Sequence, residues 1–550
     1  MKNLKTSILL VFSFLFLATI NSESQHLNFQ NEYIIKFVKP TNVKIEYLTT
    51  LISIDKVKGD SIVAYVNTKQ LKTFQKLNIP FSLIIKEKAT LATTSGNIWD
   101  WNKYPTLSEY IQMLDSMQQI HPDLCKIITF GNSALGKPIY YARINKDTSI
   151  YKPSVLLSST IHGDETGGSV VLTRLIFYLL DNYGKSSTVT NLIDNLDIWI
   201  NPVFNPDGRF ASTMNRSNGN YVDLNRNFPD IFYGSHPDNN DYQPETRSLM
   251  NLYSTYNFVL SATLHAGAEV ANYPWDASPS FHADKQWFEN VSHEYADTAM
   301  KYGPVNYFQT LYPDGVIDGW YWYPVYGGRQ DYVTGVCHSR ETTLEIDDNK
   351  FTPENELETL WQANYRSLLN YINNATKGIH GIVYDKNTNT PIKATIEVVN
   401  YDDSLSVVYS DTKTGHFTRL LPVGTYTLKI YAKGYDTLTV ENTYFTMNTS
   451  RQLTAYLTPS AKNYIDNNFS GQIKVFPNPA MNTLFISGIY DNEIVLKLCI
   501  YNTSGVSIPD LSLEKNTHTI DISHIPDGFY FVFIQTSKKV FKSKFIKRTN

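Results

Sequence analysis

The sequence predicts an α/β domain with a mixed sheet and helices on both faces, preceded by a small α+β unit and followed by two all-β sandwiches. Three observations carry that prediction. Between Trp99 and Ala375, near-continuous apolar runs such as "SVLLSS" and "LDIWINPV" alternate with helical stretches such as "GGSVVLTRLIFYLLDNY". Strands without polar alternation are buried on both faces and need helices to cover them. After Thr376 the helical periodicity stops, and short strands broken by Gly, Pro and Asn take over.

Taken in order, residues 1–24 ("MKNLKTSILLVFSFLFLATINSES") have Lys2 and Lys5 before an apolar run and small residues Ser22 and Ser24 at its end, as a signal peptide does. The run is short for a bilayer span, and no later segment is long and apolar enough for one. Residues 25–95 alternate the strands "YIIKFV", "SIVAYV" and "FSLII" with helix-like "KIEYLTTL" and "TKQLKTFQKL", a βαββαβ-like order that suits a structural appendage or a prodomain. "TTSGN" then reads as a linker. The α/β domain is expected over 98–375, the first β-sandwich over 377–459 ("IHGIVYD", "ATIEVVN", "GTYTLKIYA", "RQLTAYL") and the second over 470–550.

Composition narrows the function. With 42% hydrophobic and 18% charged residues the chain is globular, not disordered. A net charge of −4 lacks the basic excess of a nucleic-acid binder. Cys125, Cys337 and Cys499 are widely separated and form neither a disulfide framework nor a CxxC metal site.

Chemistry is expected where strands of an α/β sheet end. His162 and Glu165 in "TIHGDETGG" follow the run "SVLLSSTI", and His265 in "SATLHAG" follows "FVLSATL". Two histidines and a carboxylate make a catalytic zinc set. His293 and Glu294 in "SHEYADTAM" begin like HExxH, but Asp297 stands where the second histidine belongs, so they are read as a solvated helix face. In "RETTLEIDD", Glu341 and Glu345 share one face of a strand, and either suits a general base; spacing does not choose. "NRSNGNYVDLNRNFPD" gathers Arg216, Asn225 and Arg226 among turn formers, donors of the kind that grip a terminal carboxylate.

These motifs, in this order, resemble the zinc carboxypeptidases of the funnelin type (peptidase family M14) over roughly half the chain. The resemblance implies one Zn2+ ion held by His162, Glu165 and His265. It implies Arg216 as the oxyanion-stabilising guanidinium, with Asn225 and Arg226 on the substrate carboxylate. "YWYPVYGGRQDY" is similar to the loop carrying the substrate-contacting Tyr323, and "TLEI" selects Glu345 over Glu341 as the general base. The following "GIVYDKNTNTPIKATIEVVN…GHFTRLLPVGTYTLKIYAKGY" resembles the transthyretin-like sandwich of the N/E-type, or regulatory, branch. That branch's preference for C-terminal Lys or Arg falls here on Asp276 and Gln330. Two departures carry expectations. Asp164, where relatives carry Asn or Arg, is expected to alter subsites beyond the scissile bond. Arg329 is expected to bring a second positive charge to the pocket mouth and weaken the basic preference.

"IKVFPNPAMNTLFI", "IYNTSGVSI" and "HTIDISHIPDGFYFVFIQTSKKVFKSKFIKR" resemble the C-terminal sorting domain of the type IX secretion system. The implied protein is a secreted or surface-attached zinc metallocarboxypeptidase. Its partners would be peptide or protein C-termini and the secretion machinery, with no nucleic acid and no membrane span in the mature chain. Two other classes fit the same residues: a non-catalytic surface binding protein on this scaffold, and a zinc amidohydrolase acting on cell-wall peptides or acyl-amino acids.

Overall fold

The structure is a computed structural model. It describes residues 32–85, 97–234, 238–445, 450–460, 474–487, 495–509, 511, 513–514, 519–536 and 540–549. The expected signal peptide, most of the linker and parts of the sorting domain lie outside these residues. The chain divides into two units, residues 1–458 and 459–550.

The N-terminal sheet has four antiparallel strands, in the order Ser53–Lys58, Ser61–Asn67, Glu32–Val38, Phe81–Ile84. Helices Ile45–Leu51 and Thr68–Gln75 interrupt the chain between strands, giving the βαββαβ order. The second helix starts on a capping box, with Asn67 and Gln70 each bonding the other's backbone N–H. Ile35, Phe37, Leu48, Ile62 and Phe74 close its core.

The catalytic-type domain is built on an eight-stranded mixed sheet. Its central strands Ser154–Ser159, Phe258–His265 and Arg340–Asp347 run parallel, each beside the next. All eight residues of Phe258–His265 are buried, as a strand covered on both faces requires. Helices Gly167–Asn182, Lys285–Tyr302 and Leu357–Asn373 pack on it around Leu172, Leu175, Phe288, Val291 and Leu368. Among the described residues no helix is long and apolar enough to cross a membrane. His293 and Glu294 lie half-buried on the helix Lys285–Tyr302, where Glu294 accepts from Asn374.

Two small sheets follow. Strands Gly378–Asp385, His416–Arg419 and Ser450–Leu457 form one; Thr395–Val398, Val408–Tyr409, Gly424–Tyr431 and Leu438–Phe445 form the other. Ile379, Val383, Ile396, Phe417 and Leu428 fill the space between them. Asp284 joins this sandwich to the α/β domain: Arg340 and Arg419 both grip its carboxylate, and Asp402 holds Arg419 from the far side. The second unit is a pair of four-stranded sheets with its own core of Leu484, Ile500, Ile520, Val532 and Phe545.

Candidate active site

The sheet sets the site. His162 leaves the end of Ser154–Ser159, His265 ends Phe258–His265, and Glu345 lies directly beside His265 in the parallel register of the next strand. Gly163 lets the His162–Glu165 turn approach the neighbouring loop; a Cβ there would lie 2.3 Å from the carbonyl carbon of Gly208. Donor atoms of His162, Glu165 and His265 all fall within 4.8 Å of one another, and all three residues are buried.

Asp223, which no sequence motif singled out, adds a carboxylate behind this set. Asp223 Oδ1 lies 3.1 Å from His162 Nε2. A carboxylate only accepts, so Nε2 is the donor, and in the neutral ring Nδ1 then carries a lone pair. That Nδ1 sits 2.9 Å from Glu165 Oε1, and His265 Nδ1 sits 2.9 Å from Glu165 Oε2. His162 Nδ1 and Glu165 Oε1 thus face each other as acceptors in the neutral ring, a contact that a shared proton or a metal ion between them would relieve. His265 Nδ1 can donate to Glu165, and its buried Nε2 has no hydrogen-bond partner among the described residues. Burial works against a proton on either ring. In His162 the carboxylates of Glu165 and Asp223 outweigh burial and raise its pKa; in His265 burial prevails and brings it down to about 4. Asp223 lies 61 positions from His162 and was visible only as a polar neighbour of Asn225. It also accepts the backbone N–H of Asn225 at 2.8 Å, fixing the short turn that carries Asn225 and Arg226.

One cavity of about 300 Å³ is lined by the three ligand candidates together with Arg216, Asn225, Arg226, Asp276, Tyr323 and Glu345. Burial and the charge of Glu165 hold Glu345 well above the usual carboxylate range. Of the residues lining the cavity, four buried atoms, Arg226 Nε, His265 Nε2, Asn272 Oδ1 and Glu345 Oε2, have no hydrogen-bond partner among the described residues. The side chain of Asn225 accepts from the Arg329 backbone N–H at 2.9 Å, so its amide oxygen is engaged and its nitrogen is left to donate.

The far end of the cavity holds Asp276. Asn272 and Gln330 donate to the same oxygen at 3.0 and 3.1 Å. Gln330 in turn accepts from the Thr343 backbone at 2.7 Å, so it stands behind Asp276 and sets its orientation. A Cβ at Gly319 would lie 1.8 Å from Asp276 Oδ1, so glycine makes the room for this carboxylate. Burial raises Asp276 to about 7. Arg329 does not reach the pocket mouth, contrary to the sequence expectation. It is fully buried in the opposite direction and pairs with Glu341 at 3.0 Å. Arg329 Nη2 and Glu341 Oε2 pair in the core, with Arg329 Nε and Nη1 and Glu341 Oε1 buried without a hydrogen-bond partner among the described residues. Glu345 alone of the two strand glutamates lines the cavity.

The N-terminal domain also enters the cleft. Its strand Ser53–Lys58 brings Asp55 against Arg216 Nη1 at 2.9 Å and Lys350 Nζ at 2.5 Å. The Ile54 carbonyl accepts from Arg226 Nη2 at 2.8 Å, and the Asp55 carbonyl from Tyr323 Oη at 3.3 Å. Ser53 Oγ bonds Asp223 and accepts from Arg216 Nε. Tyr65 donates to Asp164 at 2.7 Å.

The sequence profile described as zinc carboxypeptidase matches residues 110–367; a carboxypeptidase regulatory-like domain matches 378–458 and a secretion system C-terminal sorting domain 474–548. Carboxypeptidase SOL1 of Arabidopsis thaliana is 33% identical over 329 residues, covering 58% of this chain and 65% of that protein. Carboxypeptidase M of Mus musculus is 33% identical over 344 residues, covering 59% of this chain and 76% of that one. The crystal structure of a carboxypeptidase A from Helicoverpa armigera shares the fold, with a TM-score of 0.50 at 17% identity over 63% of this chain and 98% of that one.

Proposed function

This chain belongs to the zinc carboxypeptidase family, and on that premise we propose that it removes single C-terminal residues from peptides, with a preference for Lys and Arg, as an exported enzyme held latent by its N-terminal domain. The observation that carries this is one cavity joining the metal set, an unpartnered base, an unpartnered guanidinium donor and a buried carboxylate.

His162, Glu165 and His265 would hold the zinc ion, which when bound would supply the Lewis acidity that lowers the pKa of a water toward neutral pH. Arg226 and Asn225 hold the terminal carboxylate, with Arg226 Nε reserved for it. Tyr323 closes over the same group. Arg216 faces the scissile carbonyl and stabilises its developing negative charge. Glu345 takes the proton of the attacking water through its free oxygen and delivers it to the leaving amine. Asp276, fixed by Asn272 and Gln330, attracts a cationic side chain and penalises an apolar one. The sorting domain supports export, with attachment at the surface or release from it.

Latency is supported by which groups the N-terminal strand occupies. It engages Arg216, Arg226 and Tyr323, the groups assigned here to substrate. The test is mass spectrometry of matched peptides ending in Arg, Lys, Leu, Glu or amidated Arg, with and without chelator. Full-length protein is compared with protein cut at a protease site placed at Thr93–Ser95, and both with Glu345→Gln. Loss of one Arg or Lys from the free-acid peptides, strongest after cutting and abolished by chelator and by Glu345→Gln, is expected. Intact peptides from the cut protein with zinc present would overturn the reading.

A further inference from the structure

The Tyr65–Asp164 contact has a chemistry the latch does not need. Asp55 already engages both cations of the cleft, and Ile54 already engages Arg226. Yet Tyr65, on the strand beside Ser53 and directly opposite it in register, is buried in a place of its own. Its ring lies under two cations, with Lys350 Nζ 4.9 Å and Arg216 Cζ 5.3 Å from the centroid. Its hydroxyl donates to Asp164. Both cations also touch the metal-ligand candidate Glu165, at 3.1 and 3.2 Å. The cradle therefore adjoins the metal set on the side of Arg216 and Lys350, whereas Asp276 lies with Arg226 and Asn225. In the carboxypeptidase reading, a substrate gripped by its carboxylate at Arg226 would place its leaving side chain at Asp276 and its upstream residues on the side of the metal set where Arg216, Lys350 and Asp164 lie.

The geometry points to a second specificity subsite, formed by Asp164, Arg216 and Lys350, that takes a tyrosine side chain upstream of the scissile bond and is filled in this structure by Tyr65. This rests on the carboxypeptidase reading above and names a substrate class for it. The recognition divides into two parts. The ring faces gain cation–π attraction from Lys350 and Arg216, which phenylalanine keeps and leucine loses. The hydroxyl gives Asp164 a charge-assisted hydrogen bond, which phenylalanine loses. Asp164 is thereby the specificity-determining group. It binds substrate and takes no part in bond breaking.

The test uses matched peptides ending in Arg with Tyr, Phe or Leu at each of the three positions before it. The protein is cut at Thr93–Ser95 and freed of its N-terminal fragment. kcat/KM is measured for the native protein, and dissociation constants for Glu345→Gln, which keeps the subsite whether or not cleavage occurs. At one upstream position Tyr is expected to exceed Leu by about tenfold, with Phe between. Asp164→Ala should bring Tyr and Phe to parity while either remains above Leu. Equal constants for Tyr, Phe and Leu at every position, in turnover and in binding, would overturn the subsite. Tyrosine-selective binding without turnover would uphold it and count instead against the carboxypeptidase reading.

Discussion

Two seams in the first unit are made of the same material and differ in how deeply it is buried. Between the α/β domain and the N-terminal domain, Asp55 meets Arg216 and Lys350. Between the α/β domain and the first β-sandwich, Asp284 meets Arg340 and Arg419, and Asp402 meets Arg419. The cations of the first seam have carboxylates within their own domain: Arg216 touches Glu165 and Asp223, and Lys350 touches Glu165. Withdrawing the N-terminal domain leaves them partnered. In the second seam the guanidinium of Arg419 comes from the sandwich and Asp284 from the α/β domain, both with fully buried side chains. Separation there leaves Asp284 with Arg340 and Arg419 with Asp402, but it breaks a fully buried two-point contact of Arg419 Nη1 and Nη2 with the two oxygens of Asp284. Asp55 and Lys350 keep some solvent exposure, and a buried pair costs more to break than an exposed one. The second seam is the more costly of the two to open.

The strongest test of that contrast is Arg419→Ala. It leaves Asp284 with one cation fewer and Asp402 with none of Arg419's hydrogen bonds. A loss of about 3–5 kcal/mol is expected, read as a shift of the denaturant midpoint shared by both domains. A loss below that of Asp55→Ala would erase the distinction between the seams.

Asp55→Ala comes next. Stability should change little, because Arg216 and Lys350 keep Glu165. The hydrogen bonds to charge that hold the latch are lost, so turnover by the uncut chain should rise roughly 10–100-fold, with the cut protein unaffected. High salt should act in the same direction, though more weakly, on the partly buried Lys350–Asp55 contact and leave the Asp284 seam intact. No activation by either treatment would mean that the N-terminal strand does not limit access.

The same contrast explains what the sequence disclosed. His162, Glu165 and His265 were legible because strand ends and short spacings are local, and local geometry is written in local sequence. Glu345 was legible only as one of two strand glutamates, with the family resemblance choosing it over Glu341. Arg216, Asn225 and Arg226 were legible as a polar turn. Asp223 was not, because its contact with His162 depends on two loops meeting across 61 positions. Arg329 was misplaced for a related reason: a helix from Arg329 to Gly335 turns it toward Glu341, while its neighbour Gln330 faces Asp276. The N-terminal unit was recognisable from its own alternation of strands and helices. Its docking was not, because Asp55 and Tyr65 meet partners between about 100 and 300 positions away.

The smaller effects concern the end of the cleft that the N-terminal strand leaves open. Asp276→Asn keeps the shape and hydrogen-bonding capacity of the pocket and removes its charge. The ratio of kcat/KM for Arg-ending to Leu-ending peptides should fall about tenfold, set by one hydrogen-bonded charge pair, with zinc binding unchanged.

The pH profile sharpens this further. Burial puts Asp276 at about 7, with Arg226 opposing the shift and Asp318 and Glu341 adding to it. Below that pH the carboxyl is neutral and offers a cation little. The Arg-to-Leu ratio should therefore rise several-fold between about pH 6 and 8 and then level off. Taking the ratio cancels Glu345 and the metal set, which serve both substrates alike. Stability runs the other way. A carboxyl whose folded pKa is raised binds more protons in the folded state, so its contribution is present below the ordinary carboxylate pKa and is lost as pH rises to about 7. Asp276→Asn should flatten both trends together. A ratio that stays constant with pH in the native protein would place the selection for basic residues on a group other than Asp276.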